Sequence, residues 1–154
     1  MKAGEQATVL HESGFNCAQS VLKACSEYTG LDPDLALAIS AGFGGGLRCG
    51  EVCGAVSGAV MALGLANPFT DSSDKEAKER IAMLARNFTT DFRKKFGCLR
   101  CQELKSPARC AEMIAFAADL AENMLIKQKN EENKNGDLRR TGCPGPDCPG
   151  NKRG

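Results

Sequence analysis

The residues of this chain best able to do chemistry are its nine cysteines, spread over 154 residues. Nine is odd, so they cannot all pair within one chain. The opening segment, MKAGEQATVLHESG, lacks the apolar core of a secretory signal, which points to a reducing, cytoplasmic setting. There, clustered thiols serve metal binding or redox exchange more often than disulfide stapling. His11 is the lone histidine and reads as a surface or cap residue. Any metal site must therefore be built on thiolates, which suit iron, zinc and iron–sulfur clusters.

Spacing sorts the thiols. Cys17 shares a helical face with Val21, Ala24 and Tyr28, while Cys25, two turns on, reads as a small buried hydrophobe. Cys49 and Cys53 are four apart at the start of an apolar segment. If that helix already includes Cys49, both thiols project from one face, and the amides of the helix start lower the pKa of either thiolate. Cys98-Leu99-Arg100-Cys101 is a CxxC at a helix-ending turn, either a metal knuckle or a dithiol pair. Cys110 lies on an apolar helical stripe. Cys143 and Cys148 form a C-x4-C in a Pro/Gly-rich tail, where no role is expected.

The elements that must position these thiols all read as helices. A short one covers Lys2 to Glu12 and another Phe15 to Tyr28, ended by Gly30. Asp32-Pro33 starts a helix that dies in Gly44-Gly45-Gly46. Val52 to Ala66 forms a central Gly/Ala-rich helix, and Gly50, Gly54 and Gly58 leave one face nearly bare for a close neighbour. Ser73 with Glu76 reads as a capping box for a helix running to Gly97, and Ser106-Pro107 opens the last. No segment alternates with period two. The fold class expected is all-α, a compact bundle of about five helices over residues 1–130. Residues 131–154, charged and then Pro/Gly-rich, read as a disordered tail.

Composition excludes several functions. With 20 basic and 19 acidic residues the net charge is +1, which gives no basis for a nucleic-acid or membrane-surface role. The apolar stretch from Val52 to Ala66 is shorter than the roughly 20 residues of a membrane span. Bare Gly/Ala faces suit a homodimer as well as a monomer core, and a redox partner protein is left unidentified.

Three stretches together carry a resemblance: Gly14-Phe15-Asn16-Cys17-Ala18-Gln19-Ser20-Val21-Leu22, Gly44-Gly45-Gly46, and Cys53-Gly54-Ala55-Val56-Ser57-Gly58. With Cys101-Gln102-Glu103-Leu104 and Cys110, they resemble the C_GCAxxG_C_C family, whose members are described as redox-active. The resemblance covers about residues 5–126. It implies that Cys17, Cys53, Cys101 and Cys110 are the family's four thiols, and that Cys25, Cys49, Cys98, Cys143 and Cys148 are additions. A similar helical module precedes the haem segment of split-Soret cytochromes, where an iron–sulfur site has been suggested. No CxxCH occurs here, because Gln102 follows Cys101, so c-type haem is not expected.

Three functions follow from this reading. In the first, Cys17, Cys53, Cys101 and Cys110 bind an iron–sulfur cluster, or a single iron or zinc, for electron transfer or redox sensing. Cys49 and Cys98 are substitute ligands in that scheme. In the second, Cys98 and Cys101 are the catalytic pair of a thiol–disulfide oxidoreductase, with Arg93, Lys94, Lys95 and Arg100 favouring the thiolate. In the third, the protein is a non-enzymatic helical adaptor whose cysteines are packing residues.

Overall fold

Helix starts in this chain are set by short polar side chains. Asp32 Oδ1 accepts the Leu35 N–H at 2.9 Å ahead of Pro33, and Ser106 Oγ accepts the Arg109 N–H at 3.2 Å ahead of Pro107. The expected Ser73 cap is replaced by its neighbour. Asp74 Oδ1 takes the Ala77 N–H at 2.9 Å, while Ser73 donates its own N–H (2.9 Å) and hydroxyl (2.7 Å) to Asp71. An ionised carboxylate is the stronger cap, and Asp71 has already engaged the serine.

The computed structural model describes residues 1–140, with side chains described through residue 135. The fold is all-α. Its helices are α1 (Ala3–Glu12), α2 (Cys17–Ala24), α3 (Ser26–Thr29), α4 (Pro33–Ser40), α5 (Gly54–Ala66), α6 (Lys75–Phe96), α7 (Cys101–Leu104) and α8 (Pro107–Arg140). The bundle is cut more finely than five helices. Cys25 interrupts the run from Phe15 to Tyr28, and α7 is a single turn squeezed between Gly97 and Pro107. The last helix continues past Asn130 to Arg140, with the good helix formers Glu131, Glu132 and Lys134 on exposed positions. Cys143 and Cys148 lie outside the described residues.

α2 and α5 form the centre, α2 also touching α1, α4 and α8, and α5 also touching α6 and α8. Their approach is set by a missing side chain. A Cβ on Gly58 would stand 2.7 Å from Ala18 O and 3.3 Å from Leu22 N, so backbone packs on backbone. Aromatic packing closes the other side: Phe92 lies 4.8 Å from Phe96 and Phe96 5.4 Å from Phe116, centroid to centroid. The start of α1 is held by α8, where Glu122 Oε2 accepts the Ala3 N–H at 3.3 Å and Asp119 Oδ1 the Gly4 N–H at 2.8 Å. These carboxylates satisfy amides that α1 itself leaves open. Among the described residues no helix is long and apolar enough to cross a membrane.

Candidate thiol site at four helix starts

Each of four cysteines sits where a helix begins. Cys17 is the first residue of α2, behind Asn16, whose Oδ1 accepts the Gln19 N–H at 3.0 Å while Gln19 Oε1 accepts the Asn16 N–H at 3.2 Å. Asn16 Nδ2 also donates to Ala41 O at 2.9 Å, fixing this helix start against the chain after α4. Cys53 caps α5, Cys101 opens α7, and Cys110 lies in the first turn of α8 with its N–H on Ser106 O at 2.8 Å.

A short antiparallel contact joins two of these starts. Val52 pairs with Arg100; the Cys53 N–H donates to Leu99 O and the Cys101 N–H to Glu51 O, both at 2.7 Å. Cys53 and Cys101 each stand one residue from the paired position, so they share the face opposite Val52 and Arg100. Cys17 reaches the same place through Gly54. A methyl group on Gly54 would collide with Cys17 Sγ and stand 2.8 Å from Phe43 O. The sulfur thus fills the space the missing side chain leaves, next to Cys53.

Electrostatics link the four. Burial pushes the Cys53 thiol up from 9.0 to about 12; the Ala55 and Val56 amides pull it down, and the charges of Cys17 and Cys101 push it up. Cys101 is also raised, first by burial and then by Cys17 and Cys110, with Lys105 opposing. The sequence-based expectation that the helix start lowers the Cys53 pKa is overturned, because burial outweighs the amides. Cys25 stands apart. Its thiol, wholly buried, is pushed up to about 12 by burial and then by Glu122 and Asp119.

Cys49 does not share a helical face with Cys53. Gly45, Gly46, Leu47 and Arg48 have φ of 63°, 62°, 58° and 60°, so the chain winds with the opposite hand before α5 begins. Leu47 and Arg48 bear a strain of about 1–2 kcal/mol each in that conformation. Cys49 is exposed, its thiol donating to Gly46 O at 3.5 Å. Gly50, at φ 77°, packs where a Cβ would stand 2.9 Å from Gln102 Cβ, which seats this loop on α7. Cys98 is half-buried, and it is Cys17 and Cys110, not Cys98, whose charges act on Cys101.

Among the described residues, no three His, Cys, Asp or Glu side chains converge as a coordination sphere for one metal ion. His11 is engaged elsewhere, its Nδ1 at 2.9 Å from Phe15 O. A 630 Å³ groove between α1 and the start of α4, lined by Val9, Leu10, Lys23 and Leu31, has no cysteine in its wall. Sequence reasoning missed the Val52–Arg100 contact and the part played by Lys105. The contact has no periodic signal, but Asn16-Cys17, Cys53-Gly54 and Ser106-Pro107 do carry helix-start signatures beside thiols.

Residues 15–124 match the model of a family described as "Putative redox-active protein (C_GCAxxG_C_C)". The match spans seven of the nine cysteines and leaves out Cys143 and Cys148. No curated protein matches the chain, and no solved structure does.

Proposed function

Because the chain belongs to the C_GCAxxG_C_C family of redox-active proteins, we propose that Cys17, Cys53, Cys101 and Cys110 hold an iron–sulfur cluster that serves electron transfer or redox sensing. What supports this reading is that four cysteines stand at helix starts and that charge links them pairwise, Cys17 and Cys101 acting on Cys53, and Cys17 and Cys110 on Cys101. Thiolates are the ligands such clusters require. The N-terminal helix ends and Lys105 supply positive charge that offsets the negative charge of bound thiolates.

When bound, a cluster supplies a one-electron couple, and the chain's own residues set its surroundings. Cys53 is buried on the Gly-rich start of α5, while Cys101 and Cys110 are half-buried and bring one edge toward solvent. Ligation requires the Cys53 thiol to give up a proton it otherwise keeps at neutral pH. Dithiol exchange through Cys98 and Cys101 has less support, since the charges acting on Cys101 come from the other cysteines. The deciding experiment is iron, zinc and acid-labile sulfide per chain after purification without oxygen. Iron and sulfide in equal amounts are expected. One zinc per chain, or no metal with thiols that oxidise reversibly in pairs, would overturn the reading.

A further inference from the structure

Charge is unevenly placed around the thiol edge. The loop from Arg48 to Glu51 and the segment from Asp91 to Glu112 carry seven basic and four acidic residues, an excess of three. The remainder of the chain carries 13 basic and 15 acidic. All seven cations, Arg48, Arg93, Lys94, Lys95, Arg100, Lys105 and Arg109, are exposed. One ion pair ties the loop to the segment, Arg100 to Glu51, another ties α6 to α8, Lys95 to Glu112, and two are local, between residues three apart. Arg100 reaches Glu51 at 3.4 Å and Glu103 at 3.7 Å, Lys95 reaches Glu112 at 3.4 Å, and Lys94 reaches Asp91 at 3.9 Å. Lys105 acts on Cys101 directly. No ion pair among the described residues engages Arg48, Arg93, Lys105 or Arg109.

Local helix physics explains only part of this placement. Arg93, Lys94 and Lys95 suit the C-terminal turn of α6, whose dipole is negative there. Arg100 is balanced by Glu51 and Glu103, but Arg109 stands at the positive start of α8, whose first turn holds no acidic residue. A cation placed against the dipole points to a selective reason outside folding. The far end of α6, about 30 Å away along a 22-residue helix, is close to balanced: Asp71, Asp74, Glu76 and Glu79 are interleaved with Lys75, Lys78 and Arg80.

We infer that this cationic end, with Cys101 and Cys110 at its surface, is the docking face for a small acidic electron-carrier protein. The inference rests on the redox reading of the thiol site. Complementary charge would steer the carrier onto the edge where the thiols are least buried. Under the cluster reading, one electron would then pass per encounter, the reduced carrier being oxidised as the iron–sulfur centre held by the four thiols is reduced. The carboxylates interleaved among the cations, Glu51, Asp91, Glu103 and Glu112, suit a protein surface of mixed charge better than a phosphate backbone.

The test titrates the protein, purified without oxygen, with oxidised plant-type ferredoxin as the acidic carrier and with a basic c-type cytochrome as control, using calorimetry. Ferredoxin alone should bind, with affinity falling about tenfold or more as salt rises from about 0.05 to about 0.5 M. The double variant Arg93→Glu, Lys94→Glu, away from the thiols, should weaken binding by a similar factor with iron content unchanged. Lys78→Glu, at the other end of α6, should not weaken it. Binding indifferent to the double variant, equal binding of the cytochrome, or tighter binding of a DNA duplex would each overturn the docking face. Calorimetry does not depend on metal in the thiol site. Charge-dependent ferredoxin binding by a chain without iron would uphold the face and remove the cluster, whereas iron without ferredoxin binding would do the reverse.

Discussion

Cys25 and Cys53 are nearly alike in burial, 0% and 4% exposed, and burial raises both thiols to about 12, but they sit in opposite surroundings. The neighbours of Cys25 are carboxylates, Glu122 and Asp119, which hold the start of α1 and repel a thiolate. The neighbours of Cys53 are helix amides and further thiols. Desolvation by itself makes a cysteine inert. The difference between a packing thiol and a ligand lies in what would receive the charge once the proton leaves. Around Cys25 nothing would; around Cys53 two amides and a metal could.

The largest expected break between the two regions is in metal content. Cys53→Ser should lose nearly all iron, whereas Cys25→Ser should keep it, as read by iron per folded chain. Next comes pH. In the metal-free protein both thiols stay protonated up to about 12, while the unfolded chain releases the same protons near 9.0. The unfolded state thus binds fewer protons between those values, and stability must fall as pH rises through that window. Denaturant melts from pH 8 upward should show this fall, and Cys25→Ala should make it shallower.

Smaller effects sharpen the contrast. Gly54→Ala should cost about 1–3 kcal/mol through its collision with Cys17 Sγ and Phe43 O, and should also reduce iron content. Gly58→Ala meets Ala18 O instead, so it should carry a comparable stability cost with full iron in the folded fraction. The smallest change belongs to the Cys25 side. Tyr28, the lone tyrosine, is raised from 10.0 to about 12, chiefly by its hydrogen bond to Glu122. Glu122→Gln should return its ultraviolet titration toward 10.0 and cost about 1 kcal/mol in stability.

The helices were readable because caps and apolar periodicity act within a few residues. Asp32-Pro33 and Ser106-Pro107 mark their starts directly, and Phe88, Phe92 and Phe96, four residues apart, are all buried in the core. The loop between Gly44 and Cys53 was not readable. A left-handed run at Leu47 and Arg48 contradicts local preference, and the loop that carries it packs through Gly50 on Gln102 of α7, some 50 positions later in the chain. The same holds for the pKa of Cys53. Amides at a helix start are visible in sequence, but the burial that overrides them comes from α2 and from the CxxC segment. The thiols of the candidate site were nameable from motif; their meeting place depends on one pairing, Val52 with Arg100, that no periodicity announces.

That pairing has a consequence for how the chain comes off the ribosome. The four thiols are drawn from Cys17 to Cys110, and α8, which carries the last, also clasps the first turn of α1 through Asp119 and Glu122. Contacts of such long sequence separation form late, after the loop-closure entropy has been met. The start of α1 must therefore stay unsealed until the final helix has been synthesised. Nascent chains stalled before α8 should not seal their N-terminal helix and, under the proposed cluster reading, should not retain iron.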